Sequence, residues 1–65
     1  MNIRYFTATD TLHMEFRDAP VAETRDLDET TLIDLDHEGD TCAITVEHAS
    51  KRAGIPRFSY EQVPA

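Results

Sequence analysis

Apolar and polar residues alternate along most of the chain, the period of two that sends successive side chains to opposite faces of a β-strand. Ile3 and Tyr5 open a short first run, and in the next Leu12, Met14 and Phe16 stand against Thr11, His13, Glu15 and Arg17. Between them Thr7-Ala8-Thr9-Asp10 is small and polar, which suits a turn. Asp18-Ala19-Pro20 closes the second run, because proline has no N–H to give a ladder. Val21 to Leu27 reads as a third, more exposed strand, with Asp28-Glu29-Thr30 as the turn after it. Thr31 to Asp36 is a fourth, with Ile33 and Leu35 on one side and Leu32, Asp34 and Asp36 on the other, so one side is acidic. His37-Glu38-Gly39-Asp40 supplies a glycine-containing hairpin loop. It leads into a fifth strand, Thr41 to Glu47, where Cys42, Ile44 and Val46 oppose Thr41, Ala43, Thr45 and Glu47.

The period breaks at Ala49. Residues 49–53 are tolerable helix formers, stopped by Gly54 and by Pro56, which leaves room for one or two turns. Arg57 to Val63 alternates again, so the tail either adds an edge strand or lays Phe58 and Tyr60 across the sheet. Short links between successive strands favour antiparallel pairing. The expected fold class is mostly β (α+β): an antiparallel β-meander of about five strands, then a short C-terminal helix and an extended tail. Residues 1–53 form the meander and helix, and 54–65 a tail that packs on the sheet or on a partner subunit.

Sixty-five residues make one small domain, and a chain of this size buries only about 60 % of its extended surface. The single Cys42 excludes an internal disulfide and a four-cysteine zinc site, the usual reinforcements of so small a core. One short helix covers little of an apolar sheet face that includes Leu12, Met14, Phe16, Ile44 and Val46. The tail, a second copy packed face to face, or edge strands paired across a two-fold axis must complete it, and a homo-oligomer, most simply a dimer, is expected.

Charge narrows the partners. Thirteen Asp and Glu against six Lys and Arg give −7, a balance that repels nucleic-acid backbones and anionic membrane surfaces and favours a basic protein. Asp18 to Asp40 hold nine of the acids and one base, Arg25. No run approaches the roughly 18 apolar residues of a membrane span, and Met1 to Tyr5 lacks the apolar core of a signal peptide. With its lone thiol, the chain reads as cytoplasmic.

Ile3-Arg4-Tyr5, Leu12-His13-Met14-Glu15-Phe16, Val21-Ala22-Glu23, Ile33-Asp34-Leu35-Asp36, Gly39 and Ala43-Ile44-Thr45-Val46 leading to Ala49-Ser50-Lys51-Arg52 form a combined pattern. It resembles the small prokaryotic domain-of-unknown-function family numbered 2283, over about residues 1–52. Asp34-Leu35-Asp36, Gly39 and Ala49-Ser50 are the most characteristic pieces. Phe6, Ala43 and His48 depart from the family's usual acid, glycine and aspartate. The resemblance implies a compact β-meander ending in a short helix, self-association, and no established enzymatic activity. Members are often encoded beside a small toxin resembling messenger-RNA-cleaving ribonucleases, which implies an antitoxin-like role.

The candidate chemistry is thin. Asp34-x-Asp36-x-Glu38-Gly39 matches the start of a calcium loop, but its twelfth position is Thr45 where a bidentate Glu is required, so a hairpin turn is the simpler reading. His13, His37, His48 and Cys42 lack the close spacing of a zinc motif. His48 stands two residues before Ser50, without the orienting group and oxyanion site that nucleophilic catalysis at Ser50, Ser59 or Cys42 would need. Lys51, Arg52 and Arg57, with Phe58 and Tyr60, are the one basic and aromatic cluster; caps on a helix end and aromatics covering the sheet account for them. No catalytic, cofactor-binding or metal residue and no cofactor is therefore assigned. The expected function is that of a non-enzymatic acidic interaction module that self-associates through its sheet and uses its acidic middle third, with charge reversal at Asp34 and Asp36 as the probe, against a basic partner. The alternative is a small metal- or ligand-binding protein using Asp34, Asp36, His37 or His48.

Overall fold

A computed structural model of the chain describes residues 1–52, 54 and 57–64. Five strands, β1 (Asn2–Phe6), β2 (Thr11–Glu15), β3 (Glu23–Asp26), β4 (Thr31–Leu35) and β5 (Thr41–Glu47), form one antiparallel sheet. A single helical turn, α1 (Ala49–Arg52), follows β5. The mostly β class, the five antiparallel strands and the short terminal helix are those that the alternation predicts. β3 is shorter than expected, although the Ala22 N–H still donates to the Leu35 carbonyl at 2.8 Å. The helix stop assigned around Gly54 and Pro56 involves Ala53, Ile55 and Pro56, which lie outside the described residues.

The strand order is β1-β2-β5-β4-β3 and departs from the simple succession of a meander. β5 returns to lie between β4 and β2, so β2 to β5 form a Greek key. The residue types explain this order. β3 is Glu-Thr-Arg-Asp, exposed throughout and without an apolar face, so it suits an edge. β5 carries the apolar partners β2 needs, pairing Leu12 with Val46 and Met14 with Ile44. The link after β2 runs past the end of the sheet, where the Phe16 and Arg17 N–H groups donate to the Cys42 carbonyl at 2.8 and 3.4 Å.

Register sorts the side chains into two faces. One face carries the cross-sheet row Ile3, Met14, Ile44, Ile33, Arg25, beside the row Tyr5, Leu12, Val46, Thr31. The other carries Asn2, Glu15, Ala43, Asp34, Thr24 beside Arg4, His13, Thr45, Leu32, Asp26. The register shifts between Asp34 and Leu35, which pair with Ala43 and Thr41 and leave Cys42 as the extra residue of a bulge.

Little of this is core. Among the described residues only Leu35, Cys42, Ala43 and Ala49 are buried apolar residues, and of these Cys42 and Ala49 are fully enclosed. Residues 57–64 form no strand. Phe58, Ser59 and Tyr60 instead line a groove of about 790 Å³ with Met1, Ile3 and Met14, so the tail faces the apolar side of the sheet across this groove at its β1 margin. The Phe58 and Tyr60 side chains are nonetheless mostly exposed.

Candidate interaction surfaces

Three of the acids are committed to the architecture. Asp10, at φ 55° in the turn after β1, accepts the Tyr5 hydroxyl at 2.6 Å and the Ser50 N–H at 3.0 Å on Oδ1, and the Ser50 hydroxyl at 2.7 Å on Oδ2. Its carbonyl accepts the Ala49 N–H at 2.9 Å. The start of α1 is thus fastened to the β1–β2 turn, which is why a fully buried alanine precedes the serine. The Tyr5 hydroxyl first, and Ser50 next, hold the Asp10 carboxyl below its ordinary value, and the same bond raises Tyr5.

Asp28 plays the equivalent part in the β3–β4 turn. Its Oδ1 accepts the Thr30 N–H at 2.9 Å, the main reason its pKa is lowered. Arg52 reaches it from α1 at 3.2 Å and donates as well to the Thr30 and Thr31 hydroxyls at 2.8 and 2.6 Å. The expectation that Arg52 caps the helix end is therefore corrected: its guanidinium ties α1 to this turn instead, because the four-residue helix brings it within reach of four acceptor oxygens.

Asp36 organises the β4–β5 loop. Its Oδ1 accepts the N–H groups of Asp40 and Glu38 at 3.0 and 2.9 Å, the Asp40 bond being the first cause of its lowered pKa. Arg17 lies 3.3 Å from Oδ2. Gly39 stands in this loop at φ 85°, the left-handed region where a glycine costs least. The Asp36 oxygen that a calcium loop would turn on its ion here accepts backbone N–H groups of its own loop. Asp36 is accordingly a buried turn residue, not part of a docking face with Asp34 as its alternation suggested.

The remaining candidates are dispersed. His13 Nδ1 pairs with the Thr45 hydroxyl at 2.9 Å across β2 and β5, while His37 is exposed in the loop. His48, at φ 54°, turns the chain from β5 into α1, a position His and Asp tolerate better than most residues. The Cys42 thiol is buried and donates to the Asp34 carbonyl at 3.3 Å. The Ser50 hydroxyl is spent on Asp10, and Ser59 stands in the tail groove. Among the described residues no three of His, Cys, Asp and Glu converge as a metal site. No described helix is long and apolar enough to cross a membrane.

Two surfaces are left. The polar face presents Glu15, Asp34, Asp26 and Glu47 on a hydrogen-bonded sheet, with Arg4 as its one arginine and His13 beside it. Asp34 Oδ1 accepts the Thr24 hydroxyl at 2.7 Å, and none of these four acids is in an ion pair among the described residues. The apolar face, by contrast, has as its only charged strand residues Glu23 and Arg25, which neutralise each other at 2.8 Å. Sequence reasoning missed the hub at Asp10, whose partners lie 5 and 40 residues away.

This architecture, a small Greek-key sheet fastened to one helical turn by a turn aspartate and an Ala-Ser pair, defines a β module. The family described as protein of unknown function (DUF2283) matches residues 2–50, and the chain belongs to it. Neither a curated protein nor a solved structure matches the chain.

Proposed function

We propose that the chain is a non-enzymatic interaction module whose polar sheet face meets a small basic protein, in the manner of an antitoxin covering a ribonuclease-like toxin. The observation that supports this is the division of labour among the acids. Asp10, Asp28 and Asp36 hold turns, whereas Glu15, Asp26, Asp34 and Glu47 stand on one face of the sheet, outnumber its one arginine, Arg4, and form no ion pair among the described residues. Such a face attracts the basic surface with which a ribonuclease holds RNA and speeds encounter with it.

The test is affinity capture from the native host at low salt, elution with rising salt, and assay of the eluted protein for ribonuclease activity with and without the chain. A stoichiometric small basic protein, inhibited by the chain and released by salt, is the expected result. Asp34→Lys with Asp26→Lys should abolish capture while leaving the circular dichroism spectrum unchanged. Capture that ignores these reversals, or no partner at all, would refute the proposal.

A further inference from the structure

The chain exposes more surface than a finished fold of its mass. Its accessible area is 5182 Å², whereas a folded monomer of 7.4 kDa is expected to expose about 4,200 Å². The excess, roughly 1,000 Å², is close to the roughly 800 Å² that each partner buries in a standard protein interface. Shape agrees. The Cα radius of gyration is 12.8 Å and the molecule is 34 × 32 × 18 Å, a slab, against about 11 Å for a compact chain of 65 residues.

The missing contact belongs on the apolar side. Ile3, Met14, Ile44 and Ile33 run unbroken across four strands, and none of them is fully buried. The tail that faces this side across the groove at Ile3 and Met14 leaves Phe58 65 % and Tyr60 80 % exposed, so it completes nothing by itself.

We infer that a second copy of the chain seats face to face on the Ile3–Met14–Ile44–Ile33 side of the sheet, closing a two-fold dimer that encloses both tails. The area left exposed matches one copy's share of a dimer, and charge selects the side. Two chains of −7 repel, and among the described residues the broad surface on which they can meet without opposing like charges is this face, whose Glu23–Arg25 pair is internally neutral. Two sheets stacked about 10 Å apart are the ordinary arrangement of a β-sandwich, and an isologous contact needs only one self-complementary patch. Both polar faces then point outward, independent of whatever they bind.

The test uses the full chain alone, so it can fail or succeed regardless of the basic partner. Sedimentation velocity across about 1 to 200 μM should show a monomer–dimer equilibrium. Ile3→Glu, on an edge strand and already partly exposed, should weaken it about 30-fold or more, because it sets an unpaired carboxylate against its apolar counterpart in the interface. Glu15→Lys on the opposite face should leave it within about twofold. Should Ile3→Glu unfold, the methyl resonance of Met14 in the native chain serves instead, and is expected to move on dilution while that of Ala43 stays fixed. A native chain monomeric throughout, or a dimer indifferent to Ile3→Glu and silent at Met14, as edge-to-edge pairing would be, overturns the inference.

Discussion

Replacing Gly39 by L-alanine and, through chemical synthesis, by D-alanine should shift stability in opposite directions. The residue stands at φ 85°, and an L-residue's Cβ built there meets nothing within 4 Å, so the L-alanine substitution tests backbone conformation without collision. An L-residue in the left-handed region costs about 1–2 kcal/mol, while loss of glycine's freedom in the unfolded chain returns about 0.4–1 kcal/mol. The net loss for L-alanine is about 1 kcal/mol, a fall of about 4–8 °C in Tm for a domain this small. D-alanine prefers positive φ, keeps the entropic gain and escapes the strain, so it should raise Tm by about 2–8 °C. Thermal melts followed by circular dichroism measure both, at one fixed concentration because association would itself shift Tm. Shifts of the same sign would refute the reasoning, since the Asp36-centred loop would then not hold residue 39 in the left-handed region.

Acid should destabilise the chain in a defined window. The carboxyls of Asp10, Asp28 and Asp36 are all held below their ordinary values, so their contribution is complete above the unfolded carboxylate pKa near 4 and is lost as pH falls through the folded values. Urea denaturation between about pH 5 and pH 2 should show stability falling, less steeply in Asp10→Asn; a flat wild-type profile would contradict the roles given to these turns. Ala49→Leu should cost about 1–3 kcal/mol by overpacking a fully enclosed position, read from urea midpoints, and an unchanged midpoint would mean that α1 is not docked. The Cys42 thiol should react with an aromatic disulfide reagent only as fast as the chain opens, and rapid labelling of the native protein would disprove its burial.

The faces of the strands were legible because a strand's side-chain period is a local property. Ile3, Leu12, Met14, Ile33, Ile44 and Val46 fall on one side in register as their alternation predicts. The glycine-containing hairpin was legible for the same reason: a positive φ in a short loop leaves a residue-type mark, and Gly39 bears it. The roles of the acids were not. Asp34 and Asp36 look alike in sequence, two apart on one alternating face, yet one stands on the sheet and the other gathers the N–H groups of a loop. What separates them is where β4 stops, and that depends on pairing with β5.

From the sequence alone follow a small, acidic, mostly β chain, its strands, its two-sided sheet and its short helix, since each rests on neighbouring residues or on composition. Tertiary structure alone decided that β5 lies between β2 and β4, that Asp10 and Arg52 fasten α1 at opposite turns, and that the tail lies beside Ile3 and Met14. These depend on residues tens of positions apart, whose meeting is set by which apolar strands bury best against each other. The same physics leaves the apolar face unfinished in one chain, because 65 residues provide a sheet but not a second layer to cover it.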